Sequence, residues 1–338
     1  MIAPISVVTG GAGFIGSHLV DLLLVKGHEV RVIDNLSGGD EKNLVSHFSN
    51  KSFSFLNQDI LEIEPNSEIF RNVSYTFHLA GIGDIVPSIE KPKEYFNTNV
   101  QGTVRILEAA RINQVKKFVY AASSSCYGLA ETPTTENSPI NPLYPYAFSK
   151  YLGEISAFHW HKVYKLPVNS ICIFNAYGPR VKTTGAYGAV FGVFLKQKLS
   201  AKPFTVVGDG NQSRDFVHVS DVANAFLLAA ETSISGERFN VGAGNPVSIN
   251  HLVELLGGKV TYIPKRPGEP EVTFADISKI SRLLNWSPKV SFEAGVKHMV
   301  EQINDWASAP LWDEANISEA TKKWFEFMDT SRIQEKTE

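Results

Sequence analysis

The stretch Ile5-Ser6-Val7-Val8-Thr9-Gly10-Gly11-Ala12-Gly13-Phe14-Ile15-Gly16 runs from strand formers, through a turn made of glycine and alanine, into the helix-like segment Phe14–Val25. Glycine suits such a turn for two reasons. A tight strand-to-helix turn needs backbone angles that side chains resist, and a pyrophosphate reaches the peptide N–H groups only where no Cβ intervenes. The helix start then offers free N–H donors and the positive end of its dipole. A Gly-x-x-Gly-x-x-Gly string alone fits any strand–helix turn, so its position between strand and helix is what points to a dinucleotide. Asp34 ends the next apolar run, eighteen residues after Gly16. A carboxylate there can accept both hydroxyls of an adenosine ribose and repels a 2′-phosphate, which favours NAD over NADP; the other reading is an ordinary solvated loop aspartate. Asp59-Ile60, after the third run, is placed to meet the adenine edge.

Outward from this turn, short runs rich in Val, Ile and Phe alternate with longer helical patterns. Candidate strands are Ile5–Thr9, Val30–Ile33, Phe53–Leu56, Tyr75–His78, Phe118–Ala121 and Val168–Ile173, with helices at Phe14–Val25, Glu94–Arg111 and Tyr146–Val163. Near-continuous apolar strands between amphipathic helices predict a parallel sheet covered on both faces, a doubly wound α/β (Rossmann) domain over residues 1–175. After Asn175 glycine and proline recur and the regular alternation stops. Residues 176–310 therefore read as a smaller, irregular ligand domain, interleaved with the first because 210–240 look able to pack back onto the sheet. Residues 311–338 form a C-terminal extension whose aromatic side chains, between Pro310 and Phe327, mark a segment that docks on the body.

Tyr146 and Lys150 stand four apart near a helix start that follows Pro142 and Pro145, so they share one face. A neighbouring ammonium and a helix N-terminus both stabilise a phenolate, so the expectation is a Tyr146 pKa drawn down toward neutrality, fit for acid–base work on a hydroxyl. A Tyr-x-x-x-Lys pair alone says little. Ser123 gives it weight, because it ends the fifth strand at the carboxyl edge of the sheet, where doubly wound folds bind ligands.

In their order along the chain, Thr9–Gly16, Asp34, His78-Leu79-Ala80-Gly81, Asn99, Ser123, Tyr146/Lys150, Phe174–Arg180, Ser213–Phe216 and Arg266–Glu269 resemble the extended short-chain dehydrogenases/reductases. Within that family the chain is most similar to the UDP-hexose 4-epimerases. The resemblance spans about residues 5–305. It implies an NAD site built from Gly10, Gly13, Phe14, Ile15, Asp34, Asn35, Ser37, Gly38, Asp59, Ile60, Leu79, Ala80, Gly81, Asn99, Tyr146 and Lys150. It implies a transient oxidation of a sugar at C4, with Tyr146 taking the hydroxyl proton, Ser123 bonding the same oxygen, and Lys150 tuning Tyr146. A nucleotide-sugar substrate would lie against Gly83, Asp84, Ser123, Ser124, Asn175, Ala189, Val190, Arg214, Arg266, Glu269 and Thr273. Arg214 and Arg266 match diphosphate-holding arginines and Glu269 the acid on the nucleotide ribose; without the likeness, an ion pair of Arg214 with Asp215 would be the plainer reading. Gly83, Ala189 and Thr273 are small, which leaves room for an N-acetyl group at C2. Asp84 departs from the pattern and disfavours a uronate. Ser124-Ser125 stand where 4,6-dehydratases carry an Asp-Glu pair, which counts against that alternative; a catalytically idle NAD-binding regulator is kept as a minor one. The segments Glu94–Arg111 and Tyr146–Val163 match those forming a homodimer interface.

Bulk composition sets outer limits. The 338 residues are 43% hydrophobic and 20% charged with net charge −3, so nothing electrostatic favours a nucleic-acid partner. No apolar run is long enough to span a bilayer and no secretory leader pattern opens the chain, so the expected setting is cytoplasmic, without a membrane partner. Cys126 and Cys172 have no metal-ligand spacing and lie in apolar or small-residue strings, as buried reduced residues do. The histidines of His159-Trp160-His161 point apart on a helix, and no metal is expected. His78, at a strand end, reads as a core residue.

Overall fold

The computed structural model describes residues 3–181 and 190–328. The first half alternates as its apolar runs require: β1 (Ile5–Thr9), α1 (Phe14–Val25), β2 (Glu29–Asp34), β3 (Phe53–Asn57), β4 (Tyr75–His78), α2 (Ile85–Glu90), α3 (Pro92–Phe96), α4 (Thr103–Ile112), β5 (Lys117–Ser123), α5 (Pro145–Tyr164) and β6 (Val168–Ile173). The second half is built of shorter pieces. They are β7 (Asn175–Tyr177), α6 (Val190–Leu199), β8 (Phe204–Val207), β9 (Ser213–Arg214), β10 (Phe216–His218), α7 (Val219–Glu231), β11 (Glu237–Val241), β12 (Val247–Ser248), α8 (Ile249–Leu256), β13 (Val260–Ile263), α9 (Ser278–Leu284), α10 (Phe292–Glu301) and α11 (Glu314–Met328).

Seven strands form one parallel sheet in the order β11-β6-β5-β4-β1-β2-β3. This is the doubly wound α/β class read from the sequence, with the strand order reversing between β1 and β4. Alternate side chains of each strand serve opposite faces. Val8, Val30 and Val32 join Leu19, Val20 and Leu23 of α1 and Val222, Phe226 and Ala230 of α7 in one core. Val7, Ile33 and Phe118 join Ile106 and Leu107 of α4 and Ala157 of α5 in the other. A third core belongs to the smaller part, where Phe191, Phe194, Phe204, Leu252, Phe292 and Trp306 meet.

The strand β11 was not among the six strands read from sequence. Its segment Glu237-Arg238-Phe239-Asn240-Val241 lacks an apolar run because its polar residues are satisfied only after folding. Arg238 donates to Glu154 of α5 at 2.9 Å, and Glu154 is fully buried. Asn240 accepts from the Tyr127 hydroxyl at 2.8 Å. Breaking such a buried pair costs about 3–5 kcal/mol.

The single helix expected over Glu94–Arg111 is instead α3, a π-helical turn at Asn97–Gly102, and α4. The turn carries Asn99 against the loop after β4, where its amide bonds both polar groups of Ile82 (2.8 and 3.1 Å). An inserted π-turn of this kind often marks a site where one side chain must be redirected.

Candidate active site

A cleft of about 590 Å³ lies beside the first strand–helix turn, and Gly10, Gly13, Phe14, Ile15, Asp34, Asn35, Ser37, Gly38, Asp59, Ile60, Leu79, Ala80 and Gly81 all line it. Its floor is backbone. Gly10 sits at φ +72°, where a Cβ would lie 2.6 Å from the Ala80 nitrogen; a Cβ on Gly16 would stand 2.1 Å from the Gly10 oxygen. No other residue lets the loop after β4, the turn and the helix start pack this closely. Asp34 is buried and accepts from the Ala12 and Leu36 N–H groups, both at 2.9 Å. Burial pushes its carboxyl up, while those two bonds oppose the shift. Asn35 donates to Asp59 at 2.9 Å, and Asp59 also caps the turn at Leu61 at 2.8 Å. Glycine floor, acidic strand end and cleft size together fit a dinucleotide. Asn99, expected to face this ligand, is spent behind the wall: besides Ile82 it bonds Ser149 at 2.9 Å, and so fixes the loop that presents Gly81.

A second cavity of about 400 Å³ is lined by Gly83, Asp84, Ser124, Asn175, Val190, Arg214, Arg266, Glu269 and Thr273. Gly83, Asp84 and Val193 belong to both walls, so the two spaces meet there. Ala189 lies outside the described residues. Arg214, 9% exposed, donates to Glu269 at 3.2 Å, and Arg266 donates to the other oxygen of Glu269 at 3.1 Å. Two guanidinium groups therefore converge at one end, an arrangement suited to phosphate oxygens. The carboxylate of Asp215, the alternative partner for Arg214, instead accepts from the Ala243 and Ala275 N–H groups at 2.6 and 2.8 Å. The Thr273 hydroxyl accepts from the Asp215 N–H at 3.1 Å, beside Arg214, and donates to Asn175 Oδ1 at 2.7 Å.

Ser123 ends β5 and Tyr146 lies in the first turn of α5, with Pro145 at the helix start. The two side chains are close enough for the Ser123 hydroxyl to act on the Tyr146 phenol. Lys150, one turn on and 7% exposed, holds its Nζ 4.6 Å from the centre of the Tyr120 ring. The electrostatics differ from the sequence expectation. Burial pushes Tyr146 up to about 12, the Ser123 bond opposes it, and Tyr144 and Asp84 add to the rise. Removing a phenolate from water outweighs the help expected from Lys150 and the helix start. Burial also pulls Lys150 down to about 8, against the carboxylate of Glu154.

His78 is fully buried between the hydroxyls of Thr9 and Thr103, at 2.8 and 2.9 Å, a core role as read from its strand-end position. Cys126 and Cys172 are free and buried. Among the described residues no three metal-binding side chains gather as a ligand set.

Tyr95, Tyr144 and Trp324 escaped the sequence reading. The Tyr144 ring stacks on Tyr146 at 6.4 Å, with the planes 8° apart, and Trp324 meets Tyr144 at 5.6 Å. Tyr95 packs edge-on to Tyr146 at 6.4 Å and donates its hydroxyl to the Asp84 carbonyl at 2.5 Å. Two tyrosines flanking one proline, Tyr144-Pro145-Tyr146, were the available signal for Tyr144, and the aromatic content between Pro310 and Phe327 was the signal for Trp324; nothing local marked Tyr95.

Residues 6–242 match the model of the NAD dependent epimerase/dehydratase family. A UDP-glucose 4-epimerase from Mycolicibacterium smegmatis is 36% identical over 88% of this chain and 97% of its own length. Among solved structures, the UDP-glucuronic acid 4-epimerase of Bacillus cereus in complex with UDP-glucuronic acid and NAD superposes with a TM-score of 0.84 at 33% identity, covering 89% of this chain and 99% of that one. The UDP-N-acetylglucosamine 4-epimerase of Methanobrevibacter ruminantium, in complex with UDP-N-acetylmuramic acid, gives 0.83 at 32%, covering 89% and 100%. The backbone-floored cleft, the Ser123–Tyr146 pair and these matches along most of the chain agree: the protein belongs to the NAD-dependent epimerase/dehydratase family of extended short-chain dehydrogenases/reductases.

Proposed function

We propose that the chain is a UDP-hexose 4-epimerase that also accepts 2-acetamido sugars. The observation that carries the reading is a dinucleotide cleft that meets, at Gly83 and Asp84, a cavity holding two arginines, with Ser123 and Tyr146 directly behind the wall residues Ser124 and Tyr144. Gly10, Gly13, Phe14, Ile15, Asp34 and Lys150 would hold NAD, which when bound supplies a reversible hydride acceptor. Arg214 and Arg266 would grip the diphosphate and Glu269 the nucleotide ribose, leaving the hexose toward Asn175, Thr273 and Gly83. Tyr146 then removes the proton from O4 as the C4–H bond breaks, while Ser123 bonds the same oxygen. The 4-keto sugar turns over in the cavity, and Tyr146 returns the proton after hydride reaches the opposite face of C4.

Two observations bear on specificity. Gly83 has no heavy atom within 4 Å of a notional Cβ, and Thr273 is small and turned toward Asn175; both leave space beside the sugar for an acetamido group. Asp84 in the same wall opposes a uronate by like charge. The 4,6-dehydratase alternative needs an acid–base pair beside Ser123, and Ser124 and Ser125 supply no group that titrates near neutrality.

The reading includes a homodimer pairing through α4 and α5. Ile112, Phe148, Ile155 and Tyr164 on those helices are exposed large apolar side chains, the kind of surface that a second copy would cover. The free cysteines suit a reducing, cytoplasmic setting, and no described helix is long and apolar enough to cross a membrane.

The test is incubation of purified protein with UDP-GlcNAc and with UDP-Glc, separately and without added NAD, followed by proton NMR. The expected result is the matching galacto sugar in each case. No conversion of either sugar despite bound NAD would overturn the assignment and direct the search to other nucleotide bases.

A further inference from the structure

The C-terminal extension reaches both cavities. Pro310 and Trp312 lie in the wall of the dinucleotide cleft, and Trp324 lies in the wall of the second cavity together with Tyr144, Arg266 and Gly268. The segment is firmly seated. Ile317, Thr321 and Trp324 are all buried, at 3, 2 and 5% exposure, on one face of α11 at spacings of four and three. The Trp324 indole N–H donates to the Pro267 carbonyl at 2.7 Å, and the Met328 methyl lies 2.9 Å from where a Cβ on Gly268 would stand. The helix is thus pinned to the loop that carries Arg266 and Glu269, and it also packs on α2, which begins directly after Asp84.

The indole N–H is already used by Pro267, so Trp324 presents a fixed carbon-rich ring surface. That ring meets Tyr144, which in turn stacks on Tyr146. An aromatic series therefore runs from the extension to the residue proposed to act on O4. We propose that Trp324 is a specificity-determining residue: its ring forms the outer wall of the sugar subsite and packs against the hexose, so that α11 completes a site the rest of the chain leaves partly open. Flat aromatic surfaces suit the C–H face of a pyranose, and an indole already fixed by Pro267 offers its open edge at little cost in ordering. The nucleotide and diphosphate, held by Arg214, Arg266 and Glu269, need no help from this ring.

The inference takes its ligand class from the 4-epimerase reading, and UDP set against UDP-hexose tests it. In Trp324→Ala, affinity for UDP-hexose is expected to fall at least about threefold further than affinity for UDP, which falls only as far as the lost Pro267 bond loosens the loop that carries Arg266. Trp324→Phe, which keeps a ring, should recover most of the loss. Retained NAD and an unchanged Tm show whether the alanine variant is folded. If it is not, the wild-type enzyme labelled with 5-fluorotryptophan answers instead. Its Trp324 fluorine signal, assigned by its absence from Trp324→Phe, should move on adding UDP-hexose and stay in place on adding UDP. An unmoved signal with UDP-hexose, or equal shifts or equal losses with both ligands, overturns the proposal. Absence of any UDP-hexose conversion by the wild-type enzyme removes the 4-epimerase reading and this inference with it. Conversion with an unmoved signal removes this inference alone.

Discussion

The dinucleotide cleft has a floor of backbone, whereas the sugar-nucleotide cavity has walls of side chains drawn from distant parts of the chain. In the first, Gly10 and Gly16 clear the space and the start of α1 fills the wall, all within a dozen residues of sequence. In the second, Gly83, Asn175, Arg214, Glu269, Thr273 and Trp324 meet only because the fold brings five separate segments together. The contrast separates two kinds of vulnerability. A backbone-built site tolerates most changes except a new Cβ. A side-chain-built site tolerates changes of packing but loses a definite function with each charged or polar group removed.

The largest expected effect falls at Tyr146, behind the wall residue Tyr144. Tyr146→Phe keeps the rings of Tyr144 and Tyr95 in contact and removes only the hydroxyl beside Ser123. Turnover of a UDP-hexose should fall by about 10²–10⁴, with NAD content and UDP affinity unchanged in calorimetry. Loss of NAD from this variant would mean that the catalytic pair and the backbone-floored cleft are not separable.

A sharper contrast comes from one substitution on each side. Gly10→Ala forces a Cβ to 2.6 Å from the Ala80 nitrogen at a left-handed φ, so purified protein should carry no NAD and melt at a lower temperature. Arg214→Met leaves that turn untouched. It removes a guanidinium from the diphosphate end and should raise the KM for UDP-hexose by about ten- to a hundredfold, the loss of a charged hydrogen bond of about 1.5–3 kcal/mol, while NAD stays bound. Absorbance of the protein-bound cofactor and steady-state kinetics read both. If Arg214→Met also shed NAD, the division between the two sites would fail.

This division also explains what the sequence disclosed. The cleft was legible because its requirements are local: a glycine turn, a helix start and a carboxylate at the end of the next strand sit in fixed order, and the same residues line the space in the structure. The sheet was legible wherever an apolar run was long enough. It failed at β11, where Glu237 pairs with Lys279 of α9, Arg238 with Glu154 of α5 and Asn240 with Tyr127 beyond β5. In the second cavity the family resemblance supplied Arg214, Arg266 and Glu269, whereas the aromatic stretch of the extension showed only that it docks, not that Trp324 reaches the cavity, and no local signal marked Tyr95. The Tyr146 pKa was misjudged for a related reason. The four-residue spacing to Lys150 is visible in sequence, but the burial that outweighs it is a property of the folded site.

Asp84 offers the finest test, because it lies in both walls at once. Its charge is among the causes that hold Tyr146 high, behind burial and the neighbouring Tyr144. Proton removal from O4 needs the phenolate, so kcat/KM should climb with pH until Tyr146 ionises. Asp84→Asn removes a negative charge and makes the phenolate easier to form. The ascending limb of the pH profile should therefore move to lower pH, by less than about one unit because burial remains. The same variant removes the repulsion toward a C6 carboxylate, so the ratio of UDP-glucuronate to UDP-glucose turnover should rise a fewfold. A shifted limb without a changed ratio would place Asp84 with the catalytic tyrosine alone. A changed ratio without a shifted limb would place it with the sugar alone, and only both together would show one carboxylate serving the two cavities at their junction.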